Sequence, residues 1–254
     1  MIDIHSHILW GLDDGARDRD ESIAMLKLAA ETGTTDIVAT PHSNHQYQFD
    51  YDLATERILD LSEATSGLPR IHRGCDFHLS LDNVQSAMQD PTRFTINGLS
   101  YLMVEFAETI IPTSTEEIFR LLLERGVTPV ITHPERNPIL QDSFKRLSKW
   151  IEMGCLLQIT AQCLTDRFGK AAELSARALL KMRMVHVIAS DAHDTQHRPP
   201  RLDLAREILT RELGSDVAAM LLEDNPAAII AGREILVDAP EQGDSQKKWF
   251  HFWK

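Results

Sequence analysis

What is scarce in this chain narrows its function before any motif is read. Cysteine occurs three times in 254 residues, as Cys75, Cys155 and Cys163. An odd number at wide spacings, with no C-x-x-C pair, argues against a disulfide framework, a zinc ribbon or a dithiol redox centre, and for reduced core thiols. No apolar run approaches the roughly 20 residues of a membrane span, and the start, Met1-Ile2-Asp3-Ile4-His5, has neither a basic leader nor a signal-peptide apolar stretch. A cytoplasmic location is expected. Positive charge is also short, since 26 Lys and Arg against 38 Asp and Glu leave a net charge of −12. That field repels nucleic acid and anionic membrane surfaces, so no nucleic-acid partner is expected, and a phosphate-bearing substrate needs a local cationic site. Bound metal ions can supply one. The chain lacks a G-x-S-x-G elbow, which disfavours a Ser-His-Asp hydrolase. It also lacks a cysteine followed six residues later by arginine: the positions in question are Leu81, Ala161 and Gly169. A cysteine-based phosphatase is therefore disfavoured as well.

What is present is a soluble globular composition, 43% apolar and 25% charged, at a length suited to one large α/β domain. Short apolar or β-branched runs alternate with helical patterns, which argues parallel strands joined by crossover helices. The spacing predicts strands at 1–8, 36–41, 70–77, 101–106, 128–132, 156–160 and 185–190. It predicts helices near 20–32, 53–66, 114–125, 143–153 and 170–182, followed by helical closure over 202–213 and 216–222 after Pro199-Pro200. Seven βα-like units imply an incomplete or distorted barrel in a single domain over 1–238. Beyond it, residues 239–254 turn basic and aromatic, ending Lys247-Lys248-Trp249-Phe250-His251-Phe252-Trp253-Lys254. This tail reads either as a frayed terminus or as a segment contacting a partner or a membrane surface.

Histidines and acids recur where these strands end, the place where reacting groups gather in such folds. The first strand ends His5-Ser6-His7, whose i, i+2 spacing can point both imidazoles at one ion. Others end at His42, at Asp76-Phe77-His78, at Glu105, at His133-Pro134-Glu135-Arg136 and at Asp191-Ala192-His193. Singly, each can be a structural group. Gathered at one rim they would cost several kcal/mol each, an order-of-magnitude figure, unless cations compensated. Imidazole nitrogen with carboxylate oxygen suits zinc, manganese or iron, and multi-metal sites suit phosphate-ester hydrolysis.

The sequence resembles the PHP (polymerase and histidinol phosphatase) superfamily, most closely its bacterial protein-tyrosine phosphatases of capsule and exopolysaccharide biosynthesis. The match runs from Met1 to about Gly232. Its marks are Met-Ile-Asp-Ile-His-Ser-His with Leu12-Asp13-Asp14-Gly15, Thr-Pro-His42, Thr-His133-Pro-Glu-Arg136, and Ala-Ser-Asp191-Ala-His193 running on to Arg198-Pro-Pro. The resemblance implies a distorted (β/α)7 TIM-like barrel holding two or three divalent ions, manganese first and iron, zinc or magnesium as alternatives, with a solvent-derived hydroxide attacking phosphotyrosine. It implies that His5, His7, Asp76 and Asp191 hold one ion, that Asp76, Glu105 and His133 hold a second, and that Asp14, His42 and His193 hold a third. Arg136 and Arg198 would bind phosphate, and His42 and Asp191 would be indispensable to catalysis. The implied partner is a phosphotyrosine protein, the tyrosine-rich cytoplasmic tail of a polysaccharide-export kinase. Two departures stand out: Asp76 where the family's bridging residue is Glu, and Gln158-Ile159-Thr160 where it tends to place Asn. The alternatives are a small-molecule phosphoesterase acting on histidinol phosphate or a sugar phosphate, and a binding or regulatory module that has lost turnover.

Overall fold

The alternation of short apolar runs with amphipathic ones becomes, in the computed structural model, a parallel α/β fold described over residues 1–235. The order is β1 (Ile2–Ser6), α1 (Arg19–Glu31), β2 (Asp36–Ala39), β3 (His42–Ser43), α2 (Tyr51–Ala64), β4 (Arg70–Arg73), β5 (Asp76–His78), α3 (Leu81–Gln89), β6 (Tyr101–Glu105), α4 (Thr115–Glu124), β7 (Thr128–Thr132), α5 (Phe144–Glu152), β8 (Leu156–Thr160), α6 (Gly169–Lys181) and β9 (Val187–Ala189). The helices α7 (Asp203–Leu213), α8 (Ser215–Ala219) and α9 (Asn225–Ile230) follow. The tail at 239–254 and the proposed domain limit at 238 lie outside the described residues. No helix among those described is long and apolar enough to cross a membrane.

Every strand pairing is parallel, in a three-stranded sheet β1-β2-β4 and a six-stranded sheet β3-β5-β6-β7-β8-β9. The barrel expected from the sequence is thus not closed by one continuous ladder. Two interruptions account for the division. The strand expected over 36–41 stops at Ala39 and resumes at His42, because Pro41 has no N–H to give a ladder. The strand expected over 70–77 breaks at Gly74-Cys75, where a Cβ on Gly74 would come within 2.9 Å of Val38 Cγ1. Among the described residues, β1 and the segment after β9 are joined by the isolated bridge Ser6–Ala192, with His7 N donating to Ala192 O at 2.7 Å and Asp191 N to His5 O at 2.9 Å.

The faces of the strands follow period two. Ile4, Val38, Met103, Val130, Leu156 and Val187 share one buried cluster. Two residues further along the same faces stand Thr40, Glu105, Thr132 and Gln158. One end of the interior is therefore apolar, and the end at the strand C-termini is polar. Phe77, Val104, Ile131, Leu157 and Ile159 face the opposite way, into the larger core under the helices. Each large apolar side chain fully buried there contributes about 1.5–3 kcal/mol, which holds the polar rim in place. Helix starts are fixed by Asp18, Asp50 and Ser80, whose side chains accept from first-turn amides, each worth about 1 kcal/mol. The helix α3 was not anticipated from the sequence; of its residues only Ala87 is fully buried. The last expected strand shrinks to three residues, and the closing helix over 216–222 becomes α8 followed by a wider turn at Met220–Asp224.

Candidate metal centre

At the polar end of the strands the chain brings together residues of β1, β3, β5 and β6 and of the segments that follow β1, β7 and β9. His5 is in β1 and His7 just beyond it, past a register irregularity between Asp3 and Ser6. Their Nε2 atoms lie 3.3 Å apart. Each ring is oriented from behind: His5 Nδ1 donates to Gln158 Oε1 at 2.9 Å, and His7 Nδ1 donates to Asp13 Oδ2 at 2.7 Å. With Nδ1 occupied, Nε2 of each ring is left to face the centre, the arrangement that makes histidine a directed ligand. Asp13 also accepts from Gly15 N and His42 N, both at 3.0 Å.

Three groups of ligand-type atoms lie mutually within 4.8 Å: His7, Asp14, His42 and His193; His5, His7 and Asp76; and His42, Asp76 and Glu105. Asp191 Oδ1 stands 3.4 Å from His5 Nε2 and 3.3 Å from His7 Nε2, while its Oδ2 contacts Arg136 Nη1 and Arg198 Nη2. Two expected ligands join none of the three groups, Asp191, which nevertheless faces His5 and His7, and His133. The His133 Nε2 is 3.8 Å from Glu105 Oε1, and His42 takes the place beside Asp76 and Glu105. His78 lies on the Asp76 face of an unbulged β5, opposite Glu105, and is also outside the groups.

Opposed charges dominate this rim. Burial disfavours protonation of His5, but Asp191 and Asp76 outweigh it and lift the imidazole to about 9. His42 is likewise raised against its burial, to about 10, by Asp76 and Glu105. Burial and the neighbouring Asp76 carboxylate push Glu105 up to about 8. Burial and the nearby His7 lower His193 to about 4, and burial with the Arg136 charge holds His133 well below its ordinary value. Neutral imidazoles of that kind keep a lone pair for a cation. Asp76 is fully buried, yet neither of its oxygens accepts a hydrogen bond, although His42 Nδ1 is only 3.2 Å away. A buried carboxylate without donors, ringed by imidazoles, fits a divalent cation of the zinc, manganese or iron type.

Sequence reasoning named Asp13, Gln158 and Glu135 in motifs without giving them a supporting role, and passed over Phe168. Asp13 sits in a quoted motif, but adjacent aspartates give no sign of which meets the centre and which supports it. Glu135, inside His-Pro-Glu-Arg, points away and caps the end of β8 by accepting from Thr160 N at 2.7 Å. Nothing in the sequence marked Phe168, whose ring centroid lies 4.2 Å from Arg136 Cζ and 5.7 Å from Arg198 Cζ.

Gly15 fixes the approach of the acidic loop. A Cβ there would lie 2.1 Å from His7 O and 2.5 Å from His7 Cβ. Gly15→Ala is therefore expected to push Asp13 and Asp14 off the imidazoles together. Overpacking of this kind costs about 1–3 kcal/mol, to be read from denaturant unfolding, and metal titration should show weakened binding in the same variant. Wild-type values in both would refute the close approach.

Comparison with known proteins places this geometry. Residues 1–231 match the family described as capsular polysaccharide synthesis, CpsB/CapC. The tyrosine-protein phosphatase YwqE of Bacillus subtilis is 30% identical, with all of both chains covered. The tyrosine-protein phosphatase CpsB of Streptococcus pneumoniae is 34% identical over 91% of this chain and 98% of its own. A crystal structure from work on YwqE and CpsB, described as metal-dependent tyrosine phosphatases, superposes with a TM-score of 0.87 at 31% identity, covering 94% of this chain and 98% of that one. The lactonase Lmo2620 of Listeria monocytogenes, at 13% identity and a TM-score of 0.58 over 92% of this chain and 95% of its own, shares the fold alone.

Proposed function

The chain belongs to the CpsB/CapC family of capsular polysaccharide synthesis, and from that membership and the geometry of the rim we propose that it is a metal-dependent protein-tyrosine phosphatase. The carrying observation is Asp191, whose two oxygens face opposite kinds of partner: Oδ1 the imidazoles of His5 and His7, Oδ2 the guanidinium groups of Arg136 and Arg198. A cation site and an anion site thus stand one carboxylate apart.

On this reading His5, His7, Asp76 and Asp191 hold one divalent ion. Asp76, Glu105 and His133, joined by His42, hold a second, and Asp14, His42 and His193 hold a third, with manganese the leading candidate. Ions in such a site lower the pKa of water and stabilise charge on phosphoryl oxygens. The chain's own part is positional. Arg136 and Arg198 present planar forks that meet phosphate oxygens two at a time, and they are held at the rim by Asp191 Oδ2 until a phosphate competes for them. Gln158 and Asp13 keep the His5 and His7 rings in register. The cysteines take no part: all three are buried, and burial raises each thiol above its ordinary value, so none supplies a thiolate.

The reading extends to the folded ring itself. The two sheets form one interrupted seven-unit ring, with β2 continuing as β3 and β4 as β5. The substrate is a phosphorylated tyrosine on protein, in the tyrosine-rich tail of a polysaccharide-export kinase. Three reduced thiols fit a cytoplasmic setting.

Purified protein loaded with manganese is expected to hydrolyse a phosphorylated tyrosine-tail peptide, to lose that activity on chelation, and to prefer the peptide to histidinol phosphate. Preference for histidinol phosphate would replace the substrate assignment with a small-molecule one. Metal-replete protein without turnover would turn the reading into a binding module.

A further inference from the structure

Beside Glu105 and His133 a cavity of about 260 Å³ opens, bounded also by Phe106, Arg136, Phe168 and Ala172. Phe106 is buried at the end of β6 and stacked on Trp150 with ring centroids 5.2 Å apart, so it is held by the core. Phe168 stands at the entrance to α6, partly buried and packed on the same core. One side of its ring lies under Arg136, 4.2 Å from Cζ. A phosphate on the Arg136 fork would therefore carry its ester group into the space beside the Phe168 ring.

We propose that Phe168, with Phe106 and Ala172 as walls, receives the phenyl ring of the substrate and makes the site select aryl over alkyl phosphate esters. The proposal rests on the phosphatase reading above and deepens it. In a tyrosine ester, the flat ring separates phosphorus from the peptide backbone, so the apolar walls meet ring carbon and the backbone stays at the mouth with Gln141 and the exposed Glu108. In a serine ester, the backbone follows phosphorus after one methylene and would have to bring its amide groups in between Phe106 and Phe168. Those amides would lose water between the two rings, a penalty that only the lining side chains of Asn137 and Gln141 could offset. Aromatic walls also favour an aromatic guest, in offset or edge-on contact.

The test compares kcat/KM for phosphotyrosine and phosphoserine peptides of one sequence, in wild type, Phe168→Ala and Phe168→Leu, all loaded with manganese. The ratio between variant and wild type cancels the different reactivity of the two leaving groups. Phe168→Ala is expected to lower the tyrosine-to-serine ratio by about tenfold to a hundredfold, the range for lost apolar contacts in a specificity pocket. Phe168→Leu, which keeps apolar bulk without the flat face, should fall between. Metal content and inhibition by inorganic phosphate should stay near wild type in both. If both esters instead lose rate equally and phosphate inhibition weakens, Phe168 merely supports Arg136 and the proposal is overturned. An unchanged ratio in both variants overturns it as well. Wild-type protein inactive on both esters would remove the phosphatase reading itself, a failure visible before any variant is compared.

Discussion

Asp191→Ala is expected to lower hydrolysis by about 10³-fold or more while the protein remains folded. Removing a single oriented group from a reacting centre typically costs 10² to 10³, and this one substitution affects two functions. It deprives the His5–His7 pair of the carboxylate oxygen that stands 3.3–3.4 Å from both, and it frees Arg136 and Arg198 from the atom that aims them. Breaking a fully buried ion pair would cost about 3–5 kcal/mol. Here the loss of stability should be smaller, because the two guanidinium side chains keep 22% and 24% exposure and can turn to solvent. Kinetics on an aryl phosphate, with melting curves and metal analysis of the same samples, would check all three expectations. A near-normal rate after metal stripping and reloading would defeat the assignment of Asp191.

Asp76→Asn should have a comparable effect for a different reason. The carboxylate is wholly buried, its oxygens accept no hydrogen bond, and it stands 3.5 Å from His5 Nε2 and 3.2 Å from His42 Nδ1. Electrostatically it is the negative pole on which two of the three ligand groups converge. The amide keeps the shape and deletes the charge, so divalent ions should bind far more weakly and turnover should fall by at least about 10²-fold. The clearer readout is thermal. Ligand at 100 times its dissociation constant stabilises a folded protein by about 2.7 kcal/mol, so manganese should raise the melting temperature of wild type clearly more than that of Asp76→Asn, which keeps intact only the group of His7, Asp14, His42 and His193. An equal rise in both proteins would show that the ions sit elsewhere.

Much of this centre was legible because strand ends are. Period-two patterning located the terminal residues of β1, β6, β7 and β8 within a residue or two, and with them His5, Glu105 and His133. The broken strands were only half legible. Pro41 announces an interruption, whereas the break at Gly74-Cys75 has no such local mark, and the nearness of Val38 that excludes a side chain at Gly74 is a tertiary fact that no local pattern encodes. The allotment of ligands suffered from the same limit. His42 and His133 both follow strands, and only the packed structure shows that His42 reaches Asp76 and Glu105 together while His133 stays to one side. Supporting groups such as Asp13 and Gln158 were invisible as such, because a hydrogen bond to the far side of an imidazole leaves no spacing rule behind.

The backbone itself carries one further consequence. His133 and Asp191 hold φ of +33° and +52°, a left-handed region that side-chain-bearing residues enter at a cost of roughly 1–2 kcal/mol. Glycine would relieve the twist at either position, but at Asp191 it would also strip Arg136 and Arg198 of their carboxylate. The twist there is held by the same contacts that build the centre, so relaxing the backbone and keeping turnover are incompatible at that codon.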